Sequence, residues 1–161
     1  MADTTGFKHY IGFDSVQATP MTYSEYFDYR GWEMASDVGS PDNPGYVVAY
    51  ADGHQSWSEK AFFEATYFGL SAPEGGKIAV EDVLAFITSS EVIYQTARTT
   101  VCKFTLANGY EFIESSSCVS PENYSLSIGI DNCRKQAVNK VWGLLGFLLR
   151  TAKFGIEATK S

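Results

Sequence analysis

The chain has 161 residues, 45% hydrophobic and 15% aromatic, which is enough to bury a core as one domain or as two very small ones. Its formal charge of −7 disfavours nucleic acid as a partner, and its longest apolar tract is too short for a membrane span of roughly 20 residues. That tract, near Leu144 to Leu149, is interrupted by Gly143 and Gly146 and closed by Arg150, so no membrane partner is expected.

The start, MADTTGFKHY, lacks the basic segment and apolar run of a signal peptide, which predicts a cytoplasmic protein. An apolar stretch from Tyr10 to Val16 precedes Thr22-Tyr23-Ser24-Glu25, whose spacing is that of a capping box. A short helix over 23–29 should follow, closed by Gly31. The Gly-, Ser- and Pro-rich run from Val38 to Gly45 reads as a loop. Beyond it, YVVAY (46–50) and HQSW (54–57) flank Asp52-Gly53 and predict a hairpin. Ser58 then caps a helix to about Phe68, with Trp57 stapled onto Phe62.

SAPEGG marks the best boundary, so residues 1–69 are expected as an N-terminal module, 70–77 as a linker and 78–161 as a second module. In the second module Val80, Val83, Leu84 and Ile87 recur at helical spacing and predict a helix over 80–89. VCKFTLA (101–107) and YEFIES (110–115) flank Asn108-Gly109, a strong hairpin signal. A two-residue turn puts Lys103 opposite Glu114. It also gathers Cys102, Phe104, Leu106 and Ile113 on one core face, with Glu111 among them. A long helix should begin at Ser120-Pro121-Glu122, with Val119 stapled onto Tyr124. Its apolar stripe is Ile130, Ala137, Val141, Leu145 and Leu148, and Asn123, Ser127 and Arg134 project onto the same stripe. Gly143 and Gly146 are placed to bend or break it. The fold class is therefore α+β: a small N-terminal hairpin/helix module, then a helix–β-hairpin–long-helix unit.

Motifs for catalysis are absent: there is no Walker loop, GxGxxG, GxSxG or HExxH. His9 and His54 have no partners at metal-ligand spacing, and Cys102, Cys118 and Cys133 lack CxxC spacing. No enzyme, cofactor or metal is expected. The dense aromatics around Tyr23, Tyr26, Phe27, Tyr29 and Trp32 have only Arg30 among them, so they read as core or as a protein contact surface. From residue 130 onward six basic residues face two acidic ones, a local +4 that leaves −11 on the first 129 residues.

VCKFTLANGYEF, SSSCVSPENY, Gly129, AVNKVW and GFLLR, within 78–150, resemble the phage family of small proteins called gene product 49/66. The resemblance departs at three positions: family members usually read Pro and Glu where this chain has Gly143 and Leu145, and a basic residue where it has Ile130. PMT, YRGW and SWS in the first half are similar to another short phage protein type. The two resemblances imply a fusion of phage or prophage accessory modules acting in the host cell cytoplasm.

Two readings of function compete. In the first, the chain is an anti-defence sponge for a nucleotide-derived immune signal. Arg134 would supply a cationic fork for phosphate, Tyr124 a stacking ring, and Asn123 and Ser127 polar contacts. Against it stands a structural role for Arg134, buried and paired with Glu111. In the second, the chain is a protein interaction module. Leu144, Leu145, Leu148 and Leu149 with the hairpin edge would then build a homodimer or higher oligomer, or grip a host protein.

Overall fold

The computed structural model describes residues 13–34, 40–72 and 76–157. Residues 1–12, with His9 and the start of the Tyr10–Val16 stretch, Val38 and Gly39 of the expected loop, and the middle of SAPEGG lie outside them. The fold is α+β, and the chain divides into two compact units, Met1–Gly69 with Thr151–Ser161, and Leu70–Arg150.

In the first unit, β1 (Gln17–Pro20), β2 (Gly45–Ala49) and β3 (Gln55–Glu59) form an antiparallel sheet in chain order, with α1 (Tyr23–Arg30) and α2 (Lys60–Thr66). The capping box is present: Thr22 N donates to Glu25 Oε2 at 2.7 Å, and Glu25 N donates to Thr22 Oγ1 at 3.3 Å. Gly31 closes the helix at φ 66°. Val47 pairs with Trp57 and Val48 with Ser56, so adjacent valines point to opposite faces of the sheet and both are buried. α1 packs on the Trp57 face, where Tyr23 meets the indole ring edge-on at 4.9 Å and Trp57 Nε1 donates to Met21 O at 2.9 Å. α2 packs on the other face, where Phe63 stacks on Tyr46 at 4.4 Å.

The expected cap at Ser58 and the Trp57–Phe62 staple are not formed. β3 runs on to Glu59, Trp57 is turned toward α1, and Phe62 is 68% exposed. Pairing with β2 carries the strand through Ser58, so the N-cap position falls on Glu59 and Ser58 is not placed to cap. The added strand β1 was not expected, because its four residues, QATP, are exposed and carry no strand pattern.

In the second unit, α3 (Val80–Phe86) leads into β4 (Ile87–Gln95), β5 (Thr99–Leu106) and β6 (Glu111–Ser117), an antiparallel meander crossed by α4 (Leu126–Phe154), which belongs to this unit as far as Arg150. The expected helix–hairpin–helix therefore gains a third strand, and α3 stops three residues short of its expected end. α3 lacks a side-chain cap from Ala79. Instead Asp82 reaches back, accepting from Ala79 N and Ser71 N, each at 2.8 Å.

The β5–β6 register is offset by one from the expected pairing. Thr105 faces Glu111, Lys103 faces Ile113, and Cys102 faces Glu114. The turn is Ala107-Asn108-Gly109, with Gly109 at φ 80° and its N donating to Leu106 O at 2.8 Å, so it is a three-residue turn. Asp52-Gly53 closes β2–β3 in the same way, with Gly53 N donating to Tyr50 O at 3.0 Å.

The offset reassigns the faces. Cys102, Phe104, Leu106 and Phe112 face the helix and are buried, while Ile113 is 54% exposed. Glu111 lies on the outer face, bound to Lys103 at 3.1 Å, and Glu91 binds the same lysine at 2.8 Å. The carboxylate on the inner side is Glu114, which pairs with Lys140 of α4. A helix cation does clamp a sheet carboxylate, but the pair is Lys140–Glu114, not Arg134–Glu111.

The expected helix start is a separate 3-10 turn, Pro121–Asn123, and α4 begins only at Leu126. It then runs unbroken through Gly143 and Gly146. Its buried seam is Gly129, Cys133, Ala137, Val141 and Leu145, a residue every fourth position. Burial of each larger aliphatic or aromatic side chain in this core contributes roughly 1.5–3 kcal/mol. At Gly129 the seam passes close to the sheet, where a Cβ would stand 2.8 Å from Thr100 Cβ. Val119 is 91% exposed, so the staple onto Tyr124 is not made.

Candidate functional site

α4 has two flanks. Asn132, Gln136 and Lys140 follow one another at one turn each and reach β6, at Ser116 Oγ (3.3 Å), Ser115 O (3.1 Å) and Glu114. Ile130, Arg134 and Val138 occupy the opposite flank, toward β4.

The four residues expected to form the ligand site are not brought together. Asn123 lies in the 3-10 turn and donates from Nδ2 to Ser120 Oγ at 3.0 Å. The Tyr124 hydroxyl is hydrogen-bonded to buried Thr100 at 2.9 Å, under the Gly129 contact, so its polar end is used to seat the helix. Ser127 is in the first turn of α4, bonded to Ser125 Oγ at 3.0 Å. Arg134 is seven residues further on, a rise of about 10 Å.

Arg134 is exposed rather than buried, and among the described residues it has no ion-pair or hydrogen-bond partner. It stands where two concavities meet. The smaller, about 100 Å³, lies between β4 and α4, with Ser90, Glu91, Val92, Cys102, Phe104 and Ile130 around it. The larger, about 470 Å³, is an open groove along α4 lined by Asp131, Lys135, Val138 and Asn139. The site therefore offers a free guanidinium, a neighbouring ammonium, an amide and an apolar recess, with Asp131 as the carboxylate on the groove. The carboxylate of Glu91 is held by Lys103 on the outer face. Such a set can bind an anion attached to something apolar.

Ser90 and Val92 were not legible as site residues. β4 is exposed from Thr88 to Gln95 and carries no alternating pattern of burial, so nothing in ITSSEVIYQ marks one side as inward. Of the leucines expected to form an interface, Leu145 is in the chain's own core and Leu148 packs against it, while Leu144 is 38% exposed.

Among the described residues no helix is long and apolar enough to cross a membrane, and no His, Cys, Asp or Glu group is placed to hold a metal ion. Over residues 66–153 the sequence matches the family model described as Phage protein (N4 Gp49/phage Sf6 gene 66) family. That match takes in the sheet of the second unit, α4 and the Arg134 site. Neither a curated protein nor a solved structure matches the chain.

Proposed function

The chain belongs to this family of phage proteins, and from that premise we propose that it is a non-catalytic accessory protein of the host cytoplasm that holds a partner's anionic group on Arg134. The observation that carries the reading is the free guanidinium at the junction of the two concavities. Arginine left unpaired beside an apolar recess is suited to a carboxylate or phosphate, because its planar fork binds such groups through two parallel hydrogen bonds. The N-terminal unit is read as a second phage module joined to this one.

Of the two ligand classes, a host protein fits better than a nucleotide-derived signal. Base recognition needs an aromatic face and polar edges beside the cation. Tyr124, Asn123 and Ser127 are engaged elsewhere, and the ring that reaches the site, Phe104, is buried at the floor of the small recess. The sponge reading keeps Arg134 as its support and is decided by the same assay.

Thermal melts of native protein and Arg134→Ala, titrated with oligo-glutamate peptides and with a panel of cyclic di- and trinucleotides and ADP-ribose compounds, separate the readings. A ligand specific for the folded state stabilises it in proportion to log concentration. Peptide-dependent stabilisation lost in Arg134→Ala supports protein binding, and a nucleotide response supports the sponge. Flat melts with both probes sink the Arg134 reading. The exposed, unpaired position means Arg134→Ala changes stability by no more than about 0.5 kcal/mol, so lost binding is not lost folding.

A further inference from the structure

β4 is an edge strand of its sheet, and among the described residues no strand pairs with its outer side. An open edge is a template for another extended chain. Here the template is short. The pairing of β4 with β5 is regular from Ser89 to Val92 and shifts on either side, between Ile87 and Ser89 and between Val92 and Tyr94. Such bulges stop an edge from propagating into open-ended association but leave a few residues that can pair.

Ser90 pairs with Phe104 and Val92 with Cys102, so both point to the helix side and form the wall of the small recess opposite Ile130. A segment added beside them would place every second side chain on that same side, at steps of about 6.7 Å. Ile130, Arg134 and Val138 follow one another along α4 at about 6 Å per step. The two spacings match. One inward side chain would meet Ile130 and the recess, the next Arg134, and the third Val138 and the groove.

We propose that β4 takes up a short extended segment of a protein partner by strand addition, with the pattern apolar–x–acidic–x–apolar read by Ile130, Arg134 and Val138. This rests on the reading that Arg134 holds a protein's anionic group. Charge complementarity fixes the middle position: among the described residues Arg134 is unpaired, Lys135 adjoins it and offsets Asp131, and the Glu91 carboxylate is held on the outer face by Lys103.

The full chain is panned against a displayed library of random peptides of about ten residues. The expected result is enrichment of an acidic residue flanked two positions away on each side by apolar ones. With a synthetic peptide of that pattern, Arg134→Ala should weaken binding about ten- to hundredfold, as loss of a charge-assisted contact does. Replacing the acidic residue by its amide should do the same, and the two losses should not add. N-methylation of successive peptide residues should abolish binding at alternate positions, because only alternate N–H groups of an added strand face the edge.

Dependence on Arg134 without that alternation overturns strand addition while leaving the Arg134 reading intact. Indifference to both Arg134→Ala and the amide overturns both. A solution dimer that Ile93→Lys dissociates also overturns the proposal, because β4 would then be covered by a second copy.

Discussion

Gly129→Ala gives the strictest test of how α4 is seated. In an open helix interior, replacing glycine by alanine stabilises by about 1 kcal/mol. At Gly129 the new Cβ would stand 2.8 Å from Thr100 Cβ and against Thr100 Oγ1. Thr100 is fully buried on the central strand, so neither partner can step aside without moving backbone. Overpacking of this kind costs about 1–3 kcal/mol, and displacing the Thr100–Tyr124 hydrogen bond adds about 0.5–1.5 kcal/mol. Against the propensity gain of about 1 kcal/mol, the net expectation is a loss of about 0.5–3.5 kcal/mol. Gly143→Ala and Gly146→Ala are the controls in the same helix. A Cβ at either meets nothing within 4 Å, so each should stabilise by about 0.5–1 kcal/mol. Urea denaturation of the three variants reads the sign directly, and near 160 residues each kcal/mol moves the Tm by roughly 2–4 °C. A Gly129→Ala variant as stable as Gly143→Ala would refute the close approach.

Two further outcomes follow from the polar contacts. Lys140→Ala should cost about 1–3 kcal/mol, less than a fully buried pair because Lys140 is 45% exposed, while Lys140→Met with Glu114→Gln should recover most of it in chemical denaturation. For Asp82, burial raises the carboxyl pKa, but the N–H groups of Ala79 and Ser71 outweigh it and hold the folded value below the ordinary one. Its contribution to stability is therefore complete above the ordinary carboxylate range and is lost as pH falls through the depressed folded value. The Tm gap between native protein and Asp82→Asn should be widest near neutral pH and close in strong acid; a gap that widens on acidification would contradict this.

What could be read in advance was local. Thr22 with Glu25, Gly31 and the turn glycines at 53 and 109 fix backbone angles or capping bonds within a few residues, and each sits where it was expected. The errors arose where one residue's choice has non-local effects. Asn108-Gly109 fits a two-residue turn, and Lys103 opposite Glu114 lent it false support, because glutamates at both 111 and 114 give Lys103 a partner in either register. Only packing decided. The helix-facing set Cys102, Phe104 and Phe112 buries two aromatic rings stacked at 5.6 Å, whereas the rejected set would have buried Ile113 and Glu111 instead. That one-position difference moved the clamp from Arg134–Glu111 to Lys140–Glu114 and freed Arg134. Ser120-Pro121 was a true helix start, but of a 3-10 turn. Nothing in an isolated chain reveals that Tyr124 must then extend to reach Thr100 before α4 begins.

The order of the strands bears on how quickly the molecule forms. Both sheets read in chain order, β1-β2-β3 and β4-β5-β6, without a crossover. In the second sheet, Thr96–Arg98 and Ala107–Tyr110 link nearest neighbours through very short connections. Each pairing closes a small loop, so little chain entropy is spent before its contacts are gained, and the meander can zip from its turns. The non-local event is the laying down of α4, whose seam must find Thr100 across the sheet. Gly129→Ala should accordingly slow refolding if that docking is the barrier, and hasten unfolding alone if it comes afterwards.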